Sequence, residues 1–362
     1  MTQLPDMFYN IQHFLFPDLE EVLGELTNKH KEFIRAIELI DIKKYASSFA
    51  WKGIGCKPHD REFIIKSFLA KPIFEFVKTR SLLDHLHNSP ILRRLCGWES
   101  RNEIPSEATF SRAFKSFSDT DLGEKIHEAI IKEHHADKIV GHASKDSTSV
   151  ASREKACRKN SHGKKIKKKR GRPAKGTIVE KEPRRLELQD ERTLEENLLD
   201  LPQFCNWGCK KDSDGNTYTW KGYKAHLDVS DSGVPLSAII TSASVHDSQV
   251  AIPLMQMTKE RVISLYDVMD SAYDAPEIHE FSKALGHVPV IDNNPRRSEK
   301  IEFSPAKKIR YNERTSVERA NSELKDNYGL ENIFVKGYKK AKLHIMFSVI
   351  ALTCKTLFNM MI

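Results

Sequence analysis

The sequence predicts a mixed α/β sheet covered by helices, preceded by an all-helical region. Three observations lead there. Residues 1 to about 135 carry apolar side chains at helical spacing. Two β-favouring runs, Thr217–Val229 and Val234–Ser244, flank Gly233 as a hairpin would. From Ser248 onward helical and strand-like segments alternate. Antiparallel strands followed by alternating helix and strand describe a mixed sheet with helices on its faces. The chain has 362 residues, enough for one large domain or two ordinary ones.

In the helical region, Glu62–Lys78 places Phe63, Ile64, Phe68, Leu69, Ile73, Phe74 and Phe76 close to one stripe. Ser81–Leu95 reads as two shorter helices, because Pro90 interrupts it. Ser106 is placed to cap a helix bearing Phe110, Ala113, Phe114 and Phe117, and a last helix covers about Asp119–Glu133. This set fits a helix-turn-helix with Ser106–Phe117 as its reading element, or a plain helical bundle.

Lys138–Thr148 reads as the first strand. It is followed by an insertion, about 152–215, that opens with ten Lys or Arg and no acid between Arg158 and Gly176. An acidic stretch follows, including Glu187, Asp190, Glu191, Glu195, Glu196 and Asp200. With few apolar periodicities before Leu194, the insertion is expected to be mobile. Beyond the hairpin, a helix is expected over Ser248–Arg261, a strand over Val262–Met269, a helix over Pro276–Leu285 and a short strand over Val288–Ile291. From about Glu313 the chain reads helical to its end, with a break at Gly329 or Gly337.

Composition narrows the class. Apolar residues make up 39% and charged residues 30%, as in a globular protein with a large core. The apolar run Ile345–Cys354 falls short of the roughly 18 residues of a membrane span and reads as a buried core helix. No signal peptide is read at the N-terminus, and six scattered cysteines do not form a disulfide framework. The net charge is +8, yet the ten bases of the insertion exceed it, so the basic character belongs to one short segment.

The strongest local signal is Tyr311-x2-Arg314-x3-Glu318-x6-Lys325. At about 100° per residue these four positions fall within an arc of roughly 60°, if one helix includes Tyr311. One face would then present a carboxylate between two cations and a phenol. That suits a metal ion and a phosphate backbone at one site; a solvated, salt-bridged face carries the same pattern. Two aspartates add to it. Asp146 is read at the end of the first strand and Asp270 at the end of a later one, where carboxylates suit a site at a sheet edge. Two such aspartates and a helical glutamate suffice to hold two divalent ions. Asp247, Asp267 and Asp274 are rivals, Asp247 being read as the cap of the helix at Ser248.

At these residues the chain resembles the DDE-type bacterial insertion-sequence transposases, in the group marked by Tyr-x2-Arg-x3-Glu-x6-Lys. Trp220-Lys-Gly-Tyr223-Lys224-Ala-His226-Leu, Val245-His246-Asp247-Ser248, Asp270-x2-Tyr273 and Pro105-Ser106-Glu107-Ala108-Thr109-Phe110-Ser111-Arg112 are similar to other blocks of that family. The resemblance implies a ribonuclease H-like (retroviral integrase-like) catalytic domain over 136–362, interrupted by the insertion. It implies a helical domain over 1–135 that binds DNA ends, dimerises, or does both. Asp146, Asp270 and Glu318 would be catalytic and would hold two Mg²⁺ ions, with Mn²⁺ able to substitute. Tyr311, Arg314 and Lys325 would hold DNA backbone. The implied reaction is phosphodiester hydrolysis at the element's ends, followed by attack of the freed 3′-hydroxyl on target DNA. The implied partners are double-stranded terminal repeats and target DNA, in a homodimer or larger end-paired complex, in the bacterial cytoplasm at the nucleoid, with no membrane. The chain departs from the family in having Ser-Ala-Tyr after Asp270, where a glycine is common. Only 48 positions separate Asp270 from Glu318, which leaves no room for a large β-rich insertion there.

Two further DNA contacts are expected. Lys169-Arg170-Gly171-Arg172-Pro173 resembles an AT-hook, whose arginines enter narrow minor grooves, and Lys167 and Lys168 beside it would neutralise phosphates. A solvated charged loop attracting any polyanion shares that composition. Arg112 would read DNA if the Ser106 helix does. Trp207 and Trp220 read as core or hairpin packing rather than as base-stacking residues. The competing functional readings are a catalytically inactive, transposase-derived DNA-binding protein and a structure-selective nuclease without strand transfer.

Overall fold

The computed structural model describes residues 4–157, 183–211, 215–295 and 299–361. Its helical part runs α1 (Leu4–Asn10), α2 (Phe16–Leu23), α3 (Asn28–Leu39), α4 (Ile42–Ser47), α5 (Arg61–Ile73), α6 (Thr79–Asn88), α7 (Pro90–Leu95), α8 (Glu107–Ser118) and α9 (Leu122–His134). Pro90 opens α7, so it divides two helices as its missing N–H requires. The Ser106 side chain accepts from the Thr109 backbone N–H, the expected cap of α8.

The strands are β1 (Ile139–Ser152), β2 (Asn206–Lys211), β3 (Thr217–Ser230), β4 (Pro235–Ser242), β5 (Ile263–Met269), β6 (Val288–Ile291) and β7 (Asn332–Ile333). Between and after them come α10 (Arg185–Gln189), α11 (Leu194–Asp200), α12 (Ser248–Lys259), α13 (Pro276–Ala284), α14 (Pro305–Tyr311), α15 (Thr315–Asp326) and α16 (Tyr338–Asn359). The sheet has the order β2-β3-β1-β5-β6. On its outer edge β3 pairs with β2 along its first half and with β4 along its second. Gly233 makes the β3–β4 turn with φ 83°, a left-handed conformation that favours glycine.

β1 organises the site. One of its edges pairs antiparallel with β3 from Ala143 to Ala151. Its other edge pairs parallel with β5 only as far as Lys145↔Met269, and with β7 only from Ala151. Residues 146–150 therefore form a gap in that edge of the sheet. The sequence reading ended the strand at Thr148; β3 carries it on to Ser152, so Asp146 lies inside β1 rather than at its end. What ends at Asp146 is the β5 ladder.

The largest apolar cluster spans both parts of the chain, and two smaller clusters lie around α12 and α13. Buried side chains of α3, α5, α8 and α9 join one apolar cluster with the sheet and α16. α16 is long and apolar enough to cross a membrane by length and composition, and 83% of that window is buried inside the protein, as a core helix requires. Each fully buried Leu, Ile or Phe of this kind contributes about 1.5–3 kcal/mol relative to exposure. Gly123 lets α9 approach closely: a Cβ there would stand 2.6 Å from Met346 Cβ.

Three expectations are corrected here. Residues 183–211 of the insertion fold into α10, α11 and β2, and α10 and α11 pack on α12 through Leu186, Leu194 and Leu198 together with buried amides. Gln189 Nε2 donates to Gln249 O at 2.8 Å, and Asn197 Nδ2 donates to Gln189 O at 2.9 Å and to Gln256 Oε1 at 3.0 Å. The C-terminal part is not helical throughout, since β7 intervenes before α16 and closes onto β1. Trp207 is 59% exposed, whereas Trp220 is buried as expected.

Candidate active site

The β1–β5 register sets the first two acids side by side. Lys145 pairs with Met269, so Asp146 and Asp270 are the next residues on two parallel neighbours. Asp146 is buried, and its Oδ2 accepts from Asn321 Nδ2 at 3.1 Å. Asp270 is half-buried and caps a short 3₁₀ turn, its side chain accepting from the Ala272 backbone N–H at 2.9 Å. α15 then crosses the gap in β1, carrying Asn321 to Asp146 and Lys325 Nζ to Ser149 Oγ at 3.3 Å.

Glu318 stands in the first turn of α15 and is 48% exposed. It reaches the aspartates through Arg314. Arg314 Nη1 lies 2.9 Å from Glu318 Oε1, and its Nη2 lies 3.9 Å from Asp270 Oδ2. The same guanidinium is close enough to act on Asp146. Glu318 and Asp270 thus face one guanidinium, whose charge also acts on Asp146. Tyr311 ends α14, and a 3₁₀ turn, Asn312–Arg314, separates it from α15. The expected single helical face is thereby corrected: the four motif residues are brought together by a helix, a turn and a second helix. Tyr311 packs its ring on Phe303 at 4.9 Å.

Electrostatics follow burial. Desolvation raises the Asp146 carboxyl above its usual range, opposed by Lys210 and Arg314. Burial lowers Lys325, and Lys210 adds to the effect. Lys210, exposed on β2, therefore belongs to the surface around Asp146 and Lys325. Nothing in the sequence reading singled it out. Nor did that reading give Tyr273 a role. Its hydroxyl is buried without a hydrogen-bond partner, and its titration is pushed up by burial and by Asp247, Asp146 and Asp270.

Asp267 and Asp274 are committed elsewhere, whereas Asp247 stays beside the site, bonded to Ser147 next to Asp146. Asp267 is fully buried, 2.7 Å from Lys145 Nζ, and accepts from Ser282 Oγ at 2.6 Å. Burial alone would raise it; the Lys145 charge and His287 overcome that and hold it well below the usual carboxylate range. Asp274 pairs with His279 at 2.9 Å. Asp247 does not cap α12, contrary to expectation. Its carboxylate turns instead to Lys224 Nζ at 2.8 Å.

Arg112 is exposed on α8, its Nη2 donating to Thr109 Oγ1 at 3.1 Å, remote in sequence from the acids. Lys167, Lys168, Lys169, Arg170 and Arg172 lie outside the described residues. Among the described residues no three carboxylate, histidine or cysteine side chains stand ready to hold one metal ion. The donor chemistry nevertheless fits a hard divalent cation. Asp146, Asp270 and Glu318 offer only oxygens, and they already converge on a positive charge.

Comparison with known families gives two matches. The transposase DDE domain matches residues 195–354, a span that includes Asp270 and Glu318 and begins after Asp146. A transposase domain (DUF772) matches residues 21–116, within the helical part. No curated protein and no solved structure matches the chain.

Proposed function

We propose that the chain, with its two transposase domain matches, is a DDE-type insertion-sequence transposase that binds the ends of its element, cleaves them and joins the freed 3′-hydroxyls to target DNA. The observation that carries this reading is the meeting of three acids from β1, β5 and α15 around one guanidinium in the gap of the sheet. The catalytic part, 136–362, is read as ribonuclease H-like, and the helical part, 1–135, as the end-binding or dimerising domain.

Asp146, Asp270 and Glu318 are the residues to hold two divalent ions, Mg²⁺ or Mn²⁺ in its place. When bound, such ions activate the attacking oxygen and stabilise the leaving one. The chain's own contribution is placement. β1 and β5 fix two carboxylates by ladder register, and Asn321 orients Asp146. Tyr311, Arg314, Lys325 and Lys210 form a cationic and phenolic rim on which a phosphate backbone is held in line for displacement. In the first step a water oxygen bonds to phosphorus as the bond to the 3′-oxygen of the element's end breaks. In the second, that 3′-oxygen attacks a target phosphodiester and displaces its 3′-oxygen. Arg112 and the Lys167–Arg172 segment are assigned to DNA binding away from the chemistry. Pairing of two ends calls for a homodimer or larger complex, acting in the cytoplasm.

The test uses purified protein and DNA carrying the sequences that flank its gene. With Mg²⁺ or Mn²⁺, nicked and joined products are expected at the ends. Glu318→Gln is expected to abolish both while retaining DNA binding. Binding without product from the intact protein, across both metals, would favour the inactive descendant; cuts without joining would favour a nuclease.

A further inference from the structure

Arg314 stands where a metal ion would have to enter. It pairs with Glu318 at 2.9 Å, stands off Asp270 at 3.9 Å and acts on buried Asp146. Its donor capacity is not used up: Nε is buried without a hydrogen-bond partner. A guanidinium has five donors in a planar fork and binds best when two engage one carboxylate or phosphate together. Here Glu318 is met at hydrogen-bond distance and Asp270 at ion-pair distance only, with the Tyr311 hydroxyl beside the same guanidinium. The contact neutralises charge without locking the side chain.

Lys210, exposed on β2, also acts on Asp146, but the other neighbouring cations are held elsewhere. Lys224 is held by Asp247 at 2.8 Å and by Val245 O at 2.9 Å. Lys325 is turned to Ser149. On the acid side, Tyr273 brings an unpartnered buried hydroxyl close enough to feel Asp146, Asp247 and Asp270. Arg314 is the side chain within ion-pair range of both Asp270 and Glu318.

We propose that Arg314 is an exchangeable counterion. In the free protein it occupies the charge of the three acids; a divalent ion and the guanidinium then compete for them. A DNA phosphate offers Arg314 a better, bidentate partner and draws it off the acids. DNA and metal therefore favour each other's binding through one side chain, and by linkage the effect is reciprocal. The consequence is regulatory: without DNA the site holds its ions weakly. This inference rests on the reading of Asp146, Asp270 and Glu318 as the ion's ligands.

The experiment titrates Mn²⁺ into DNA-free protein and follows the spectrum of the free ion. Arg314→Gln is expected to tighten Mn²⁺ binding by about tenfold. Arg314→Lys, which keeps the charge, is expected to bind as the intact protein does. Asp146→Asn is expected to weaken binding. Unchanged or weaker binding in Arg314→Gln, with Asp146→Asn weakened, would overturn the counterion exchange and leave the ligand reading standing. Arg314→Lys matching Arg314→Gln would overturn it as well. If Asp146→Asn binds Mn²⁺ unchanged, the ligand reading fails and the exchange fails with it.

Discussion

At the scale of single residues, the site is a balance between three acids and the cations that face them. Burial raises the Asp146 carboxyl above its usual range, and Lys210 and Arg314 offset part of that cost. Lys210 is exposed, so it is free to meet a phosphate as well as to act on Asp146. Lys210→Ala is expected to weaken binding to any duplex severalfold and to lower the salt slope by about 1, as loss of one phosphate contact does. Its stability should stay within about 0.5 kcal/mol of the intact protein. A salt slope unchanged from the intact protein would remove Lys210 from the DNA path. The spacing of Tyr311, Arg314, Glu318 and Lys325 was legible in the sequence, because residue types recur there in a register that a helix would align. Lys210 and Tyr273 were not legible as partners of the site, since strand pairing and a 3₁₀ turn bring them to it.

At the scale of elements, periodicity read well where burial is apolar. β3, Gly233, β4, α12 and β5 follow the expected order. It failed where burial is polar or short. α10 and α11 have only 5 and 7 residues, and bury Gln189 and Asn197 beside Leu186, Leu194 and Leu198, while β7 has only two residues. A buried histidine shows the same polar bookkeeping in α9. His127 is fully buried between Arg261 Nη1, 3.0 Å from Nδ1, and Pro235 O, 3.0 Å from Nε2. Arginine only donates, so Nδ1 accepts and Nε2–H donates to the carbonyl. Burial, then Arg261, lowers its titration to about 3. Because the folded value is depressed, the unfolded chain takes up the proton first. The stability contribution is complete above about pH 6.5 and is lost as pH falls toward 3. Urea unfolding at pH 7 and pH 5 checks this. The intact protein is expected to lose about 2 kcal/mol more over that interval than His127→Gln. Equal losses would mean that His127 is not held neutral.

At the scale of the whole molecule, the site exists because topology joins segments far apart in the chain. β1 supplies Asp146, the end of β5 supplies Asp270, and α15 spans the gap that β5 and β7 leave in the edge of β1. The apolar cluster around α16 ties the helical part to the sheet and fixes that gap. The matched families divide along the same line, one over 21–116 and the other over 195–354. Convergence of three segments on one metal site is the central claim, and iron tests it most directly. Fe²⁺ replaces Mg²⁺ in the protein bound to duplex DNA, and ascorbate with peroxide generates radicals that cut backbone next to the ion. Peptide mass mapping is expected to find cuts near Asp146, near Asp270 and across Arg314–Glu318 together, all suppressed by excess Mg²⁺. Mg²⁺-sensitive cuts confined to one of these segments, or falling elsewhere in the chain, would contradict the account.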